Sequence, residues 1–167
     1  MAQPVRKNVV KPKTKKKRVQ NPKRKHEEYG VSKLEDKFAK EFLDELGVRY
    51  VRQFKAASIG RYYDFYLPDD HLLIEVDGDY YHSYGKLYED MSPMQKHNKR
   101  VDRQKDRWAL INGIPLMRIW EHDINKNKSE VMKKLKERIV VSKTEKEKKD
   151  KKKRRNWNED NNSHPRS

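Results

Sequence analysis

Apolar residues recur at four-residue spacing from Leu34 through Phe38 and Phe42 to Leu46, the period of one helix face. Ser32-Lys33-Leu34-Glu35 reads as a capping box in front of that stripe, with Ser32 as N-cap and Glu35 at N3. Gly47 reads as the C-cap. The period then shortens, and three strands are predicted over 49–55, 61–67 and 71–77. The apolar run Leu72-Leu73-Ile74 marks the third as a central strand buried on both faces. Residues 78–93, carrying glycines and tyrosines, form a loop of a length that is usually functional in a compact domain. A helix over 94–111 follows, expected to turn Val101, Gln104, Trp108 and Ile111 to one side, and Gly113 stops it. Residues 115–119 make a fourth strand, and a last helix over 127–141 presents Val131, Leu135 and Ile139 before fraying. The order α-β-β-β-α-β-α predicts an α/β domain, a mixed sheet flanked by helices.

Charge divides the chain into three parts. Of 167 residues, 41% are charged and 33% hydrophobic, with a formal net charge of +16. Residues 1–29 hold 11 Lys and Arg against 2 acids, and residues 143–167 hold 10 against 5. The segment 30–142 is nearly neutral at +2 and long enough to bury a core. The expected organisation is a disordered basic tail over 1–29, a folded domain over 30–142, and a basic tail over 143–167 into which the last helix frays. Such tails favour a polyanion, and nucleic acid fits them better than a membrane surface, because neither has an apolar face. No run of about 18 apolar residues is present, so no membrane span is expected. The N-terminal region lacks the apolar stretch of a secretory signal. Without cysteine the chain has neither a disulfide nor a thiolate zinc site, which fits a reducing cytoplasm.

The chemistry concentrates in Tyr62-Tyr63-Asp64-Phe65-Tyr66-Leu67-Pro68-Asp69-Asp70-His71-Leu72-Leu73-Ile74-Glu75-Val76-Asp77-Gly78. This reads as two strands joined by a tight Pro-Asp-Asp turn. A hairpin centred between Asp69 and Asp70 sets Asp64 directly opposite Glu75, with Cβ atoms roughly 5 Å apart. Opposed carboxylates repel unless a cation lies between them. In so basic a chain, a carboxylate pair holding Mg²⁺, with Mn²⁺ as a substitute, points to a nuclease. The Val76 carbonyl adds a hard oxygen next to Glu75. The competing reading of each acid is a solvated strand residue.

Three further residues carry alternatives. His82, just past the end of the third strand, suits a general base or acid near neutral pH, or it is a loop histidine packed on Tyr80 or Tyr81. Asp102, mid-helix, either orients His82 or pairs along the helix surface with a neighbour such as Lys105. Glu35 is already accounted for by the capping box.

In combination these residues resemble a family. The chain is similar to the very-short-patch repair endonucleases of the PD-(D/E)xK superfamily, and closer to the phage homing endonucleases of the EDxHD group. The family pattern is a helix Glu, a strand Asp, a backbone-carbonyl residue one strand later, a His after a Gly-aromatic turn, and a helix Asp. Position by position, that pattern falls on Glu35, Asp64, Val76, His82 and Asp102. Gly78-Asp79-Tyr80-Tyr81-His82 resembles the family turn, and Asn98 to Asp102, Gly113 and Trp120-Glu121 keep its spacing. The resemblance covers about 32–125. It implies a restriction-endonuclease-like core and Mg²⁺-dependent cleavage of double-stranded DNA, with a homodimer on DNA if both strands are cut. Two departures matter. The repair enzymes use cysteine in a zinc site, and this chain has none, which favours the homing branch. The wider superfamily places a lysine two residues after its second acid, where Asp77 stands here, and that role is assigned to His82 backed by Asp102.

DNA contacts are expected from Lys99, Arg103 and Arg107 on the second helix and from Tyr80 and Tyr81 in the loop. These tyrosines either wedge into the duplex or pack the loop onto the domain. A repair nickase or junction nuclease on the same fold, and a basic nucleic-acid-binding protein with structural acids, are the competing readings.

Overall fold

The computed structural model describes residues 32–162, so the expected N-terminal tail lies outside the described residues. Helix α1 (Lys33–Phe38) opens with the capping box formed on both sides, Ser32 Oγ accepting from the Glu35 N–H and Glu35 Oε1 from the Ser32 N–H. The helical path continues through a π-helical stretch, Ala39–Leu43, into α2 (Asp44–Leu46). It ends at Gly47 in the left-handed conformation, φ 64°, which a residue without Cβ adopts at no steric cost. Phe38 and Phe42 are fully buried and stack at 5.1 Å. Burying each such side chain stabilises the fold by about 1.5–3 kcal/mol.

Strands β1 (Val51–Ala56), β2 (Arg61–Leu67), β3 (Leu72–Asp77) and β4 (Leu116–Trp120) form one sheet in that order. The first two pairings are antiparallel and β3–β4 is parallel, so the sheet is mixed. All six residues of β3 are buried. Leu72, Ile74 and Val76 join a core with α1, β2 and the last helices, while Leu73 joins a second core with Tyr63 and Ala109. The hairpin register is the expected one, with Phe65 opposite Ile74 and Leu67 opposite Leu72. The turn is longer than the tight one expected: four residues, 68–71, separate the strands, and His71 takes φ 54°.

One irregularity crosses the sheet. The β1–β2 register skips the pair Gln53–Asp64, and Gln53 lies at φ 49°. Phe65 and Tyr63, two residues apart, fall in opposite cores, whereas regular alternation would place them on one face. A left-handed residue in β1 turns the ribbon over at this point, and Asp64 sits at the crossover.

Helix α3 (Pro93–Ile111) carries a second capping box, Ser92 with Gln95. Its inward face differs from the expected one. Gln95, Lys105 and Ala109 are buried, while Gln104 is exposed and Ile111 is 71% exposed. The helix turns a polar stripe inward, so its apolar residues misplace the buried face. A short helix, α4 (Glu121–Lys126), absent from the sequence reading, follows β4 and buries Ile124. Helix α5 (Lys128–Asn162) buries Val131 and Leu135 and runs well past the predicted end near 141. Lysine and glutamate are good helix formers and no Pro or Gly interrupts this run. Lys146 donates to the carbonyls of Pro68 and Asp69, and Lys149 to that of Gly113, which fastens the helix to two turns of the domain. No helix among the described residues is long and apolar enough to cross a membrane.

Candidate active site

A cavity of about 260 Å³ is lined by Glu35, Asp64, Glu75, Val76, His82, Asn98, Val101, Asp102 and Lys105. The sequence reading named six of these as site residues, and they arrive from α1, β2, β3, the 78–93 loop and α3.

Asp64 and Glu75 meet through each other's backbone. Asp64 Oδ2 accepts the Val76 N–H at 2.8 Å, and Glu75 Oε1 accepts the Asp64 N–H at 3.3 Å. The β2–β3 ladder stops at Phe65–Ile74, and the two carboxylates take over the strand pairing beyond it. Asp64 Oδ1 makes no hydrogen bond among the described residues. Burial pushes the Asp64 carboxyl up to about 6, aided by the charges of Glu35 and Asp77, with the Val76 N–H and Lys105 opposing. Glu75 is also pushed up, by burial and then by the Asp64 charge, with Lys105 and Arg118 opposing.

Glu35 serves the helix cap and the cavity together. Its second oxygen accepts from the Gln53 amide at 2.8 Å, which ties α1 to the left-handed residue opposite Asp64.

His82 and Asp102 form a dyad. His82 Nδ1 lies 2.9 Å from Asp102 Oδ2 and 3.6 Å from Asp77 Oδ1. Burial alone would lower the histidine, but the Asp102 hydrogen bond and the two acidic charges outweigh it and raise it above its ordinary value. Burial would raise Asp102, yet the His82 hydrogen bond and the charges of His82, Arg118 and Lys105 hold it below the usual carboxylate range. An ionised Asp102 on Nδ1 keeps a proton on that nitrogen and leaves Nε2 for the cavity.

Two basic residues complete the site, and the sequence reading assigned neither. Lys105 forms a buried ion pair with Glu75, not with Asp102. Arg118, on β4 beside Glu75, donates from Nη1 to both Asp77 oxygens at 2.9 Å, from Nη2 to Asp102 Oδ1 at 3.4 Å, and from Nε to Asp106 at 3.1 Å. Asp77, 2% exposed, therefore has its own cation. The available signal for Lys105 was its place on α3, three residues after Asp102 and seven after Asn98, on one helical stripe. Arg118 had no local signal.

The residues expected to contact DNA stand outside the cavity. Lys99, Arg103 and Arg107 are exposed on α3 at four-residue spacing. Tyr80 and Tyr81 are 62% and 58% exposed and meet edge to face at 5.4 Å. Their backbone is held by α3: the Gln95 amide donates to the Tyr80 carbonyl at 2.6 Å, and the Asn98 amide to that of Tyr81 at 3.1 Å.

Among the described residues no group of three or more His, Asp or Glu side chains is arranged to hold a metal ion. The cavity offers Asp64 Oδ1 and the Val76 carbonyl. In an extended strand the N–H and C=O of one residue point to the same side, so this carbonyl shares the Asp64 side with the Val76 N–H. Two hard oxygens with room for water suit Mg²⁺, which commonly takes one or two carboxylates and keeps several waters. Both Glu75 oxygens are engaged.

No family model matches the chain, and no curated protein matches it. Among solved structures it is similar to the catalytic domain of homing endonuclease I-Bth0305I, at 18% identity and a TM-score of 0.44, over 66% of this chain and 97% of that one. The geometry of the cavity, rather than this likeness, carries the functional reading.

Proposed function

We propose that the chain is a divalent-metal-dependent endonuclease that hydrolyses phosphodiester bonds in double-stranded DNA, of the free-standing homing type. The observation that carries this reading is the convergence of Glu35, Asp64, Val76, His82 and Asp102 on one cavity, with His82 and Asp102 already hydrogen-bonded. The absence of cysteine favours the homing branch over the repair branch with its zinc site. Asp64 and the Val76 carbonyl would hold Mg²⁺, or Mn²⁺ in its place. When bound, the ion lowers the pKa of water and offsets charge on the phosphate. His82 Nε2 takes a proton from the attacking water when neutral, or gives one to the leaving oxygen when charged. Asp102 fixes its tautomer, and Arg118 fixes Asp102. Glu35 acts from the edge of the cavity through its hold on Gln53. Lys99, Arg103 and Arg107 contact phosphates, and Tyr80 and Tyr81 meet the duplex. Two copies on one site would allow a double-strand break.

The test is incubation with supercoiled plasmid and Mg²⁺, with the ends mapped. Wild type should cut, EDTA should stop it, and Asp64→Ala and His82→Ala should bind DNA without cutting. Full-rate cleavage by Asp64→Ala overturns the site. Binding in EDTA with no cleavage in any metal leaves a nucleic-acid-binding protein. A panel of nicked, mismatched, branched and intact duplexes separates the homing reading from a repair nickase or junction nuclease.

A further inference from the structure

The Lys105–Glu75 pair bears on how many ions the site takes. Two-metal phosphodiesterases place their ions about 3.5–4 Å apart, held by carboxylates between them. Asp64 and Glu75 have the placement for such a bridge, since each bonds across the hairpin to the other strand. Glu75, however, has no oxygen to spare. Oε1 accepts the Asp64 N–H, and Oε2 is taken by the Lys105 ammonium.

Lys105 is also fixed along its length. The Tyr63 hydroxyl donates to its backbone carbonyl at 2.7 Å, and its ammonium lies 5.2 Å from the centre of the Tyr63 ring. Its side chain is 10% exposed, so it has little water to retreat into. The charges favour the same arrangement. Asp64 and Glu75 bring two negative charges to the hairpin, and a fixed ammonium neutralises the one on Glu75. The other remains with Asp64 Oδ1 and the Val76 carbonyl, a donor set for a single ion.

We propose that Lys105 stands as a built-in cation where a second divalent ion would otherwise sit, so that the site binds one ion and removal of the lysine opens a place for another. This rests on the metal-dependent reading above. It makes Lys105 a positioning residue that sets the metal count, and it makes Glu75 a ligand of lysine rather than of metal.

The experiment is a titration of the full chain with Mn²⁺, followed by the electron paramagnetic resonance signal of the free ion and by calorimetry. Site-specific ions are counted as the excess over Asp64→Asn, and circular dichroism verifies that each protein is folded. The expected counts are one ion in wild type, two in Lys105→Met, and one again in Lys105→Met/Glu75→Gln, which lacks the acid that would hold the second. Two ions in wild type, or one in folded Lys105→Met, overturn the proposal while leaving a metal nuclease standing. None in wild type overturns the metal reading and this proposal with it. If Lys105→Met does not fold, Lys105→Gln replaces it, and the wild-type count alone still decides between one ion and two.

Discussion

His82 Nδ1 lies 2.9 Å from Asp102 Oδ2, although the two residues stand 20 positions apart, one in a loop and one in mid-helix. The pair explains why a buried imidazole is raised above its ordinary value rather than lowered. A group whose folded pKa is raised adds stability below its ordinary value and loses it as pH rises through the raised one. Asp102→Asn should bring His82 back down, measured by an NMR titration of the imidazole. Cleavage should fall about 10²–10⁴-fold with DNA affinity retained. An unchanged His82 titration would count against the dyad.

Asp64 gives the same sign from a different cause, burial of a carboxyl rather than a bond to an acid. Its folded pKa, about 6 against an ordinary 3.8, means that stability is lost as pH rises from about 4 through about 6 and is level above that. Two units correspond to about 3 kcal/mol. In EDTA, Asp64→Asn should therefore be more stable than wild type at pH 8, and the gap should close toward pH 4. Thermal melts of the two proteins across that range measure it, and a gap that is flat or widens on acidification would contradict the assignment.

Arg118 should behave as the keystone of the acidic cluster. Arg118→Met leaves the buried Asp77 without its cation, and breaking such a pair costs about 3–5 kcal/mol. Arg118→Met/Asp77→Asn should recover a large part of that loss in chemical denaturation. If the double variant is as unstable as the single, Arg118 acts through something other than Asp77.

The far half of α5 should govern affinity rather than chemistry. Residues 143–157 hold nine Lys and Arg, and each phosphate contact adds about 0.9 to the salt dependence. Ending the chain at residue 142 should flatten the plot of log affinity against log salt, and cleavage at saturating DNA should persist. A truncated chain with an unchanged slope would place the phosphate contacts elsewhere.

Periodic and local features were legible in the chain. The Leu34–Leu46 stripe, the capping box and the hairpin register each depend on residues a few positions apart, where spacing reports geometry directly. Asp64, Glu75 and Val76 entered the site by that register. His82 is a candidate by its place just past the third strand, with a packed loop histidine an equal reading, whereas Asp102 needs the family resemblance, because nothing local joins a loop to a helix. Lys105 and Arg118 were read past for the same reason. A charged residue can be buried when its partner waits for it, and their partners Glu75 and Asp77 lie 30 and 41 residues away. Helix α4, at six residues, is too short to show a period. The inward face of α3 was misread because hydrophobic periodicity finds cores, and this helix faces a polar cavity.

The hold that Gln95 and Asn98 keep on the 78–93 loop has a consequence for how the molecule can change. Both amides grip carbonyl oxygens, which every residue type possesses. Positions 80 and 81 can therefore trade one side chain for another without loosening the backbone that leads into His82. If Tyr80 and Tyr81 meet the duplex and His82 moves the proton, as proposed, a lineage or an engineer can vary the exposed pair while the backbone beside His82 stays in place.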